Sequence, residues 1–221
     1  MAARIDQVPP PAADGDPEQA SADQANTWII GDDDEVIVID PGSDHVSVLD
    51  AVGDREVLAV ICTHGHADQV AAAIEVAERD EAPVAMHPKD RMLWREAHPG
   101  EEADIEIEDG GVFEVADVQL EVIHAPGHTD GSVCLYCADL GVVFTGHAVG
   151  IDGPVPHDGE YPDFADQLTA IGENLLTLPA ETRVLPAHGP EMTVGAAEKK
   201  FDSWVTAGPR SVGPSEPKSP E

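Results

Sequence analysis

Residues 63–70, THGHADQV, place two histidines around a glycine, an aspartate two positions further on, and a glutamine directly after it. The segment follows VLAVICT (57–63), a continuous apolar run that reads as a buried strand. It precedes QVAAAIEVAERD (69–80), whose apolar residues recur at helical spacing. A histidine loop between a strand and a helix is the setting in which a rigid scaffold presents functional groups. In an extended loop residues i and i+2 face the same side, so His64 and His66 can reach one ion.

The same alternation of apolar runs and turns extends along the chain. NTWIIG (26–31) and EVIVID (35–40), separated by an acidic GDDDE stretch, predict a β-hairpin. PGSD (41–44) opens a short helix with Ser43 or Asp44 as N-cap. PVAMH (83–87) predicts a short strand and DRMLWREA (90–97) a short helix. GVFEVADVQLEVIHA (111–125) predicts a second hairpin turning near Ala116 and Asp117, and SVCLYC (132–137) and GVVFTG (141–146) two more strands. PDFADQLTAIGENLLTLP (162–179) is amphipathic, with Phe164, Leu168, Ile171, Leu175 and Leu176 on one helical face. RVLPAH (183–188) and VGAAEKKFDSWV (194–205) predict a last strand and a last helix.

Hairpins this frequent argue against one parallel sheet. They predict an α+β sandwich of two mixed sheets packed face to face with helices outside. The predicted domain spans residues 26–206. Residues 1–25, rich in Pro, Ala, Asp and Gln, read as a disordered arm, and residues 207–221 as a disordered tail.

The chain has 221 residues, enough for one well-buried domain, and is 42% apolar with only 4% aromatics. Its core must therefore come mostly from Val, Ile, Leu and Ala. Asp and Glu number 44 against 11 Lys and Arg, a formal net charge of -33. That balance excludes nucleic acid and anionic membrane surfaces as partners, since both require basic patches, and leaves a small-molecule substrate. The N-terminal residues lack an apolar signal segment, no run is long enough for a membrane span, and the expected location is cytoplasmic with reduced thiols. Cys134 and Cys137 have the spacing of a zinc or redox pair. In a strand, however, positions i and i+3 point to opposite faces, which predicts buried structural thiols instead.

Ten histidines are present. His64, His66, His128, His147 and His188 stand where predicted strands end, flanked by Gly65, Gly127, Gly146 and Gly189, which allow close backbone approach around an ion. His45, His87, His98, His124 and His157 read as ordinary surface or core residues. A third imidazole from His128 completes a three-histidine set with His64 and His66 and leaves a position for water. Zinc in such a set lowers the pKa of bound water to about 7.

THGHADQ, PGHTDGS, FTGH and PAHG, in this order, resemble the metallo-β-lactamase superfamily, nearest to its glyoxalase II-like (hydroxyacylglutathione hydrolase-like) metallohydrolases. The resemblance covers about residues 26–206 and includes DPGSD (40–44) and the helix at 162–179. It implies a four-layer αβ/βα sandwich with one or two metal ions in the groove between the sheets. His64, His66 and His128 then take the first ion's positions. Asp68, position 69 and His188 take the second's, and position 147 is a bridging aspartate in the family. Asp68 is also implied as the catalytic residue that orients the attacking water.

Two of these seven positions depart from the family pattern. Gln69 replaces a histidine and offers a neutral amide oxygen, a weaker zinc ligand than imidazole. His147 replaces the bridging carboxylate, and a neutral imidazole has one free lone pair where a carboxylate can span two ions about 3.5–4 Å apart. One zinc ion is therefore expected in the first site, with His147 as an additional ligand, and a second ion weakly held or absent; iron is the alternative metal.

The resemblance implies hydrolysis of a thioester or related ester by metal-bound hydroxide. Glutathione recognition is not expected, because only 33 residues follow His188, where glyoxalase II carries a helical domain. Two other readings stand beside hydrolysis. One is a metal- or ligand-binding relative that lost turnover through Gln69 and His147. The other is an iron-dependent persulfide dioxygenase-like oxidoreductase, disfavoured because iron chemistry prefers two histidines and one carboxylate and His147 replaces that carboxylate.

Overall fold

The first strand lies where composition predicts a disordered arm. β1 (Arg4–Val8) pairs antiparallel with β2 (Thr27–Gly31) over five residue pairs, from Arg4 opposite Gly31 to Val8 opposite Thr27. Val8 is buried against one side of the sheet and Ile5 packs on the other. The Pro- and Asp-rich composition that dominates residues 1–25 masks this short apolar alternation at its start. The structure, a computed structural model, describes residues 2–8, 25–156 and 162–209. Most of the predicted arm, His157 and the predicted tail from residue 210 onward lie outside the described residues.

The predicted hairpin forms from β2 and β3 (Glu35–Ile39), with Trp28 opposite Ile39. β4 (Glu56–Ile61), β5 (Val84–Met86) and β6 (Ile105–Glu106) continue this sheet in parallel, giving the order β1-β2-β3-β4-β5-β6. The second sheet contains β7 (Val112–Val115), β8 (Val118–His124), β9 (Val133–Cys137), β10 (Val142–Gly146), β11 (Arg183–Pro186) and β12 (Met192–Thr193). Its order is β12-β11-β10-β9-β8-β7, antiparallel except where β10 meets β11. The second hairpin turns at Ala116 (φ 48) and Asp117 (φ 63), the paired positive values of a type I′ turn.

The central strands, β2 to β4 and β9 to β11, are covered on both faces, which explains runs that are apolar without alternation, whereas β8 alternates buried and exposed residues. Trp28, Ile30, Ile37, Ile39 and Ile61 of the first sheet meet Leu120, Leu135, Phe144 and Leu185 of the second in the central core. The intervening Ile29, Val36, Val38 and Val60 face outward onto α1 (His45–Val52), α3 (Ala73–Glu78) and α4 (Arg91–Ala97), where Val48, Val76 and Trp94 are buried. On the far side, α5 (Phe164–Ala170) with the turn that follows it and α6 (Val194–Ala207) bury Ile171, Leu175, Ala197 and Trp204 against the second sheet. The result is the expected α+β sandwich: helices, sheet, sheet, helices.

Three local expectations resolve or change. Asp44, rather than Ser43, caps α1 by accepting from Ser47 N at 3.2 Å. The predicted helix over 69–80 is two pieces, α2 (Ala67–Val70) and α3, because Ala72 N donates to Gly42 O instead of continuing the helical ladder. The predicted helix over 162–179 passes from α5 into a π-turn at Ile171–Leu175.

The cysteines behave as the strand argument requires. Cys134 faces the outer core and Cys137 the central one, and all three cysteines are buried free thiols. Among the described residues, no helix is long and apolar enough to cross a membrane.

Candidate metal centre

The loops that end β4, β8, β10 and β11 meet at one rim of the sandwich. Val133 N donates to Thr63 O at 2.8 Å, tying the loop after β4 to the start of β9 in the opposite sheet. Into this junction project His64 and His66 from the loop before α2, His128 from the loop after β8, and His147 directly after β10. All four are buried, and each offers a donor atom within 4.8 Å of the others.

Their geometry is that of a ligand cage. His128 Nε2 lies 3.1 Å from His66 Nδ1 and 3.0 Å from His147 Nδ1. Four nitrogens at 2.0–2.1 Å from a tetrahedral zinc would stand about 3.3 Å apart, so the spacing fits an ion with little adjustment. The rings of His64, His66 and His128 are mutually near-perpendicular, at 85–87°.

Outer contacts set the tautomers. His128 Nδ1 lies 3.0 Å from the carbonyl of Val155 and can only donate there, which leaves the Nε2 lone pair for the cage. Thr63 gives its hydroxyl proton to Asp40 at 2.8 Å and sits 3.3 Å from His64 Nδ1, which holds that ring's proton on the outer side. Asp40 also accepts from Thr63 N at 2.7 Å. Burial pushes the Asp40 carboxyl up to about 7, with the two bonds from Thr63 acting in the opposite direction.

A second, more open group adjoins the first. Asp68, His147 and His188 also offer donor atoms within 4.8 Å of one another, with Asp68 exposed and His188 half-buried. The rings of His147 and His188 stack at 4.7 Å. Gln69 is fully buried beside this group; its Nε2 donates to Asp68 Oδ2 at 3.0 Å and lies 3.5 Å from His147 Nε2. All seven residues singled out in the sequence therefore gather at one place.

Two supporting residues give no local sequence signal. Asp90, 1% exposed, accepts from Gly65 N at 2.9 Å, Thr129 Oγ1 at 2.7 Å and Gly131 N at 2.8 Å, strapping the two histidine loops together. A side chain on Gly65 or Gly131 would run into Asp90, which explains glycine at both places. Gln167, a polar residue on the buried face of α5, donates to the carbonyls of His147 and Ala148, both at 3.0 Å. Gly189 corrects one expectation: nothing crowds its α-carbon, and only its φ of +76 favours glycine.

The histidines read as ordinary have ordinary partners where described. His87 and His124 stack at 4.7 Å, and His98 Nε2 lies 2.8 Å from Val70 O.

A profile of the metallo-beta-lactamase superfamily matches residues 20–188. The chain belongs to that superfamily. It is similar to the probable metallo-hydrolase YqgX of Bacillus subtilis, 31% identical over 185 residues that cover 77% of this chain and 88% of the relative. It is also similar to the hydroxyacylglutathione hydrolase GloC of Haemophilus influenzae, 25% identical over 203 residues, 85% of this chain and 95% of GloC. Among solved structures, TTHA1623 in a di-iron-bound form is 28% identical with a TM-score of 0.70, covering 80% of this chain and 93% of that one. These superfamily relationships and the histidine cluster support binding of a divalent metal.

Proposed function

We propose that this superfamily member is a metal-dependent hydrolase of thioester or related ester bonds. The observation that carries the reading is the convergence of four buried imidazoles, with His128 Nε2 3.0–3.1 Å from a nitrogen of His147 and of His66, beside an exposed carboxylate on Asp68. A divalent ion with a coordination position open beside Asp68 would supply a Lewis acid that polarises a carbonyl and acidifies water. The chain's own residues then hold the ligand geometry, through Asp90, Thr63 and the carbonyl of Val155. Asp68, exposed to solvent and hydrogen-bonded by Gln69 Nε2, would accept a proton from an attacking water. Similarity to a probable metallo-hydrolase and to a hydroxyacylglutathione hydrolase supports the hydrolase class. A net charge of -33 favours an acyl conjugate of a small neutral or cationic thiol over a multiply anionic substrate.

The test measures one preparation twice: metal content by mass spectrometry, and hydrolysis of a panel of thioesters. Wild type should hold at least one equivalent and hydrolyse a thioester, and chelation should abolish that turnover until zinc, iron or manganese is restored. If wild type holds less than about half an equivalent and only His147→Asp combined with Gln69→His hydrolyses, the hydrolase reading is wrong.

A further inference from the structure

The two ring nitrogens of His147 face different donor groups. Nδ1 lies 3.0 Å from His128 Nε2, on the side of His64, His66 and His128. Nε2 lies 3.9 Å from the Asp68 carboxylate, and Asp68, His147 and His188 offer donor atoms within 4.8 Å of one another. His147 thus belongs to both compact donor groups found among the described residues. A carboxylate at this position would hold two ions about 3.5–4 Å apart. An imidazole aims its two nitrogens away from each other across the ring, so ions bound at both, each at about 2.0–2.1 Å, stand about 6 Å apart.

We propose that His147 separates two divalent ions. Nδ1 completes a four-nitrogen set with His64, His66 and His128, and Nε2 completes a two-histidine, one-carboxylate set with His188 and Asp68. The inference rests on the reading that the four-histidine set holds an ion. As the second ion binds, the ring's remaining proton leaves to solvent and the ring becomes a bridging imidazolate. Four nitrogens close the first ion's tetrahedron, the pattern of a structural site. The second set leaves positions open, suits a five- or six-coordinate ion such as ferrous iron, and opens to solvent through exposed Asp68. The ion that meets substrate is therefore the second one.

Gln69 is consistent with this division. Its Oε1 is buried with no hydrogen-bond partner among the described residues, while Nε2 at the other end of the same amide faces Asp68 and His147. A half-turn of the amide exchanges the two ends and presents an oxygen to a cation on that side.

The test titrates the metal-free full-length chain with cobalt(II) in the absence of oxygen, following visible absorption and the cobalt retained after desalting. Wild type should take up two equivalents, the first giving intense four-coordinate bands and the second adding only weak ones. Asp68→Asn and His188→Ala should each retain one equivalent with the first spectrum unchanged. Asp68 is exposed, so its variant keeps the test valid if His188→Ala folds poorly. X-ray absorption of the two-cobalt form should show no metal neighbour at 3.5–4 Å. Saturation of wild type at one equivalent, two equivalents in both variants, or a metal neighbour at that short distance overturns the proposal. Hydrolysis by a one-cobalt protein would overturn it while leaving the hydrolase reading intact. Two cobalt ions spaced as described, without hydrolysis of any thioester, would do the reverse.

Discussion

Asp90 accepts a 2.9 Å hydrogen bond from the backbone nitrogen of Gly65, the residue between the two histidines of the first ligand loop. Through Thr129 and Gly131 the same carboxylate holds the loop that carries His128. Loss of the carboxylate leaves two buried backbone N–H groups and a hydroxyl without their acceptor, and hydrogen bonds to charged groups contribute about 1.5–3 kcal/mol each. Asp90→Ala should therefore unfold at least about 3 kcal/mol more easily in denaturant. Asp90→Asn, which keeps the shape and part of the bonding, should fold but bind zinc about 10–100-fold more weakly, as outer-contact losses do. A competition titration with a chromophoric chelator measures this. Unchanged affinity in Asp90→Asn would remove the strap from the account of the site.

Bringing four imidazole nitrogens together couples ion binding to folding. An ion that binds only the folded chain stabilises it by about 2.7 kcal/mol at a free concentration one hundred times Kd. Adding zinc to metal-free protein should raise its melting temperature by several degrees. His66→Ala, which removes one corner of the first set, should lose most of that rise. An equal rise in wild type and variant would show that the ion binds elsewhere.

The fold was legible because the central strands are buried on both faces: runs such as EVIVID and VLAVICT, short and rich in β-branched residues, read as strands, and their order set the sandwich. The ligand residues were legible because their chemistry sits in four short loops, each at a strand end. What escaped was short or distant. β6 and β12 have two residues each, too few to show a period. β1 is recognisable only through its pairing with β2 across about twenty residues. Asp90 reads locally as the start of a helix, and its partners lie 25, 39 and 41 positions away. Gln69 and His147 were visible as departures from a pattern. That one ring serves two donor groups became visible only in three dimensions.

The cysteine pair offers a direct check on the strand assignment. Burial pushes the thiols of Cys62, Cys134 and Cys137 above the ordinary range, so little thiolate forms near neutral pH. A disulfide reagent should react with none of the three in the native protein and with all three in denaturant. Rapid native labelling of Cys134 and Cys137 together would contradict their placement on opposite faces of β9.

Asp40 gives the metal-free protein a pH dependence with a defined sign. Its carboxyl titrates at about 7 when folded and at the ordinary 3.8 when unfolded. Between these values the folded state holds a proton that the unfolded state has released, so stability falls as pH rises from about 4 to 7 and is level above. A shift of this size corresponds to a few kcal/mol, at about 1.4 kcal/mol per unit. Denaturant unfolding of chelated protein at pH 4.5, 6 and 7.5 should show this decline, superimposed on other titrations. Asp40→Asn cannot release a proton, and the hydroxyl of Thr63 can accept from its amide instead of donating. The variant should match wild type more closely at pH 4.5, where the folded carboxyl is itself protonated, and should lose less stability between pH 4.5 and 7.5. Parallel pH profiles for the two proteins would place the Asp40 carboxyl outside the titrating groups and leave it a fixed acceptor for Thr63.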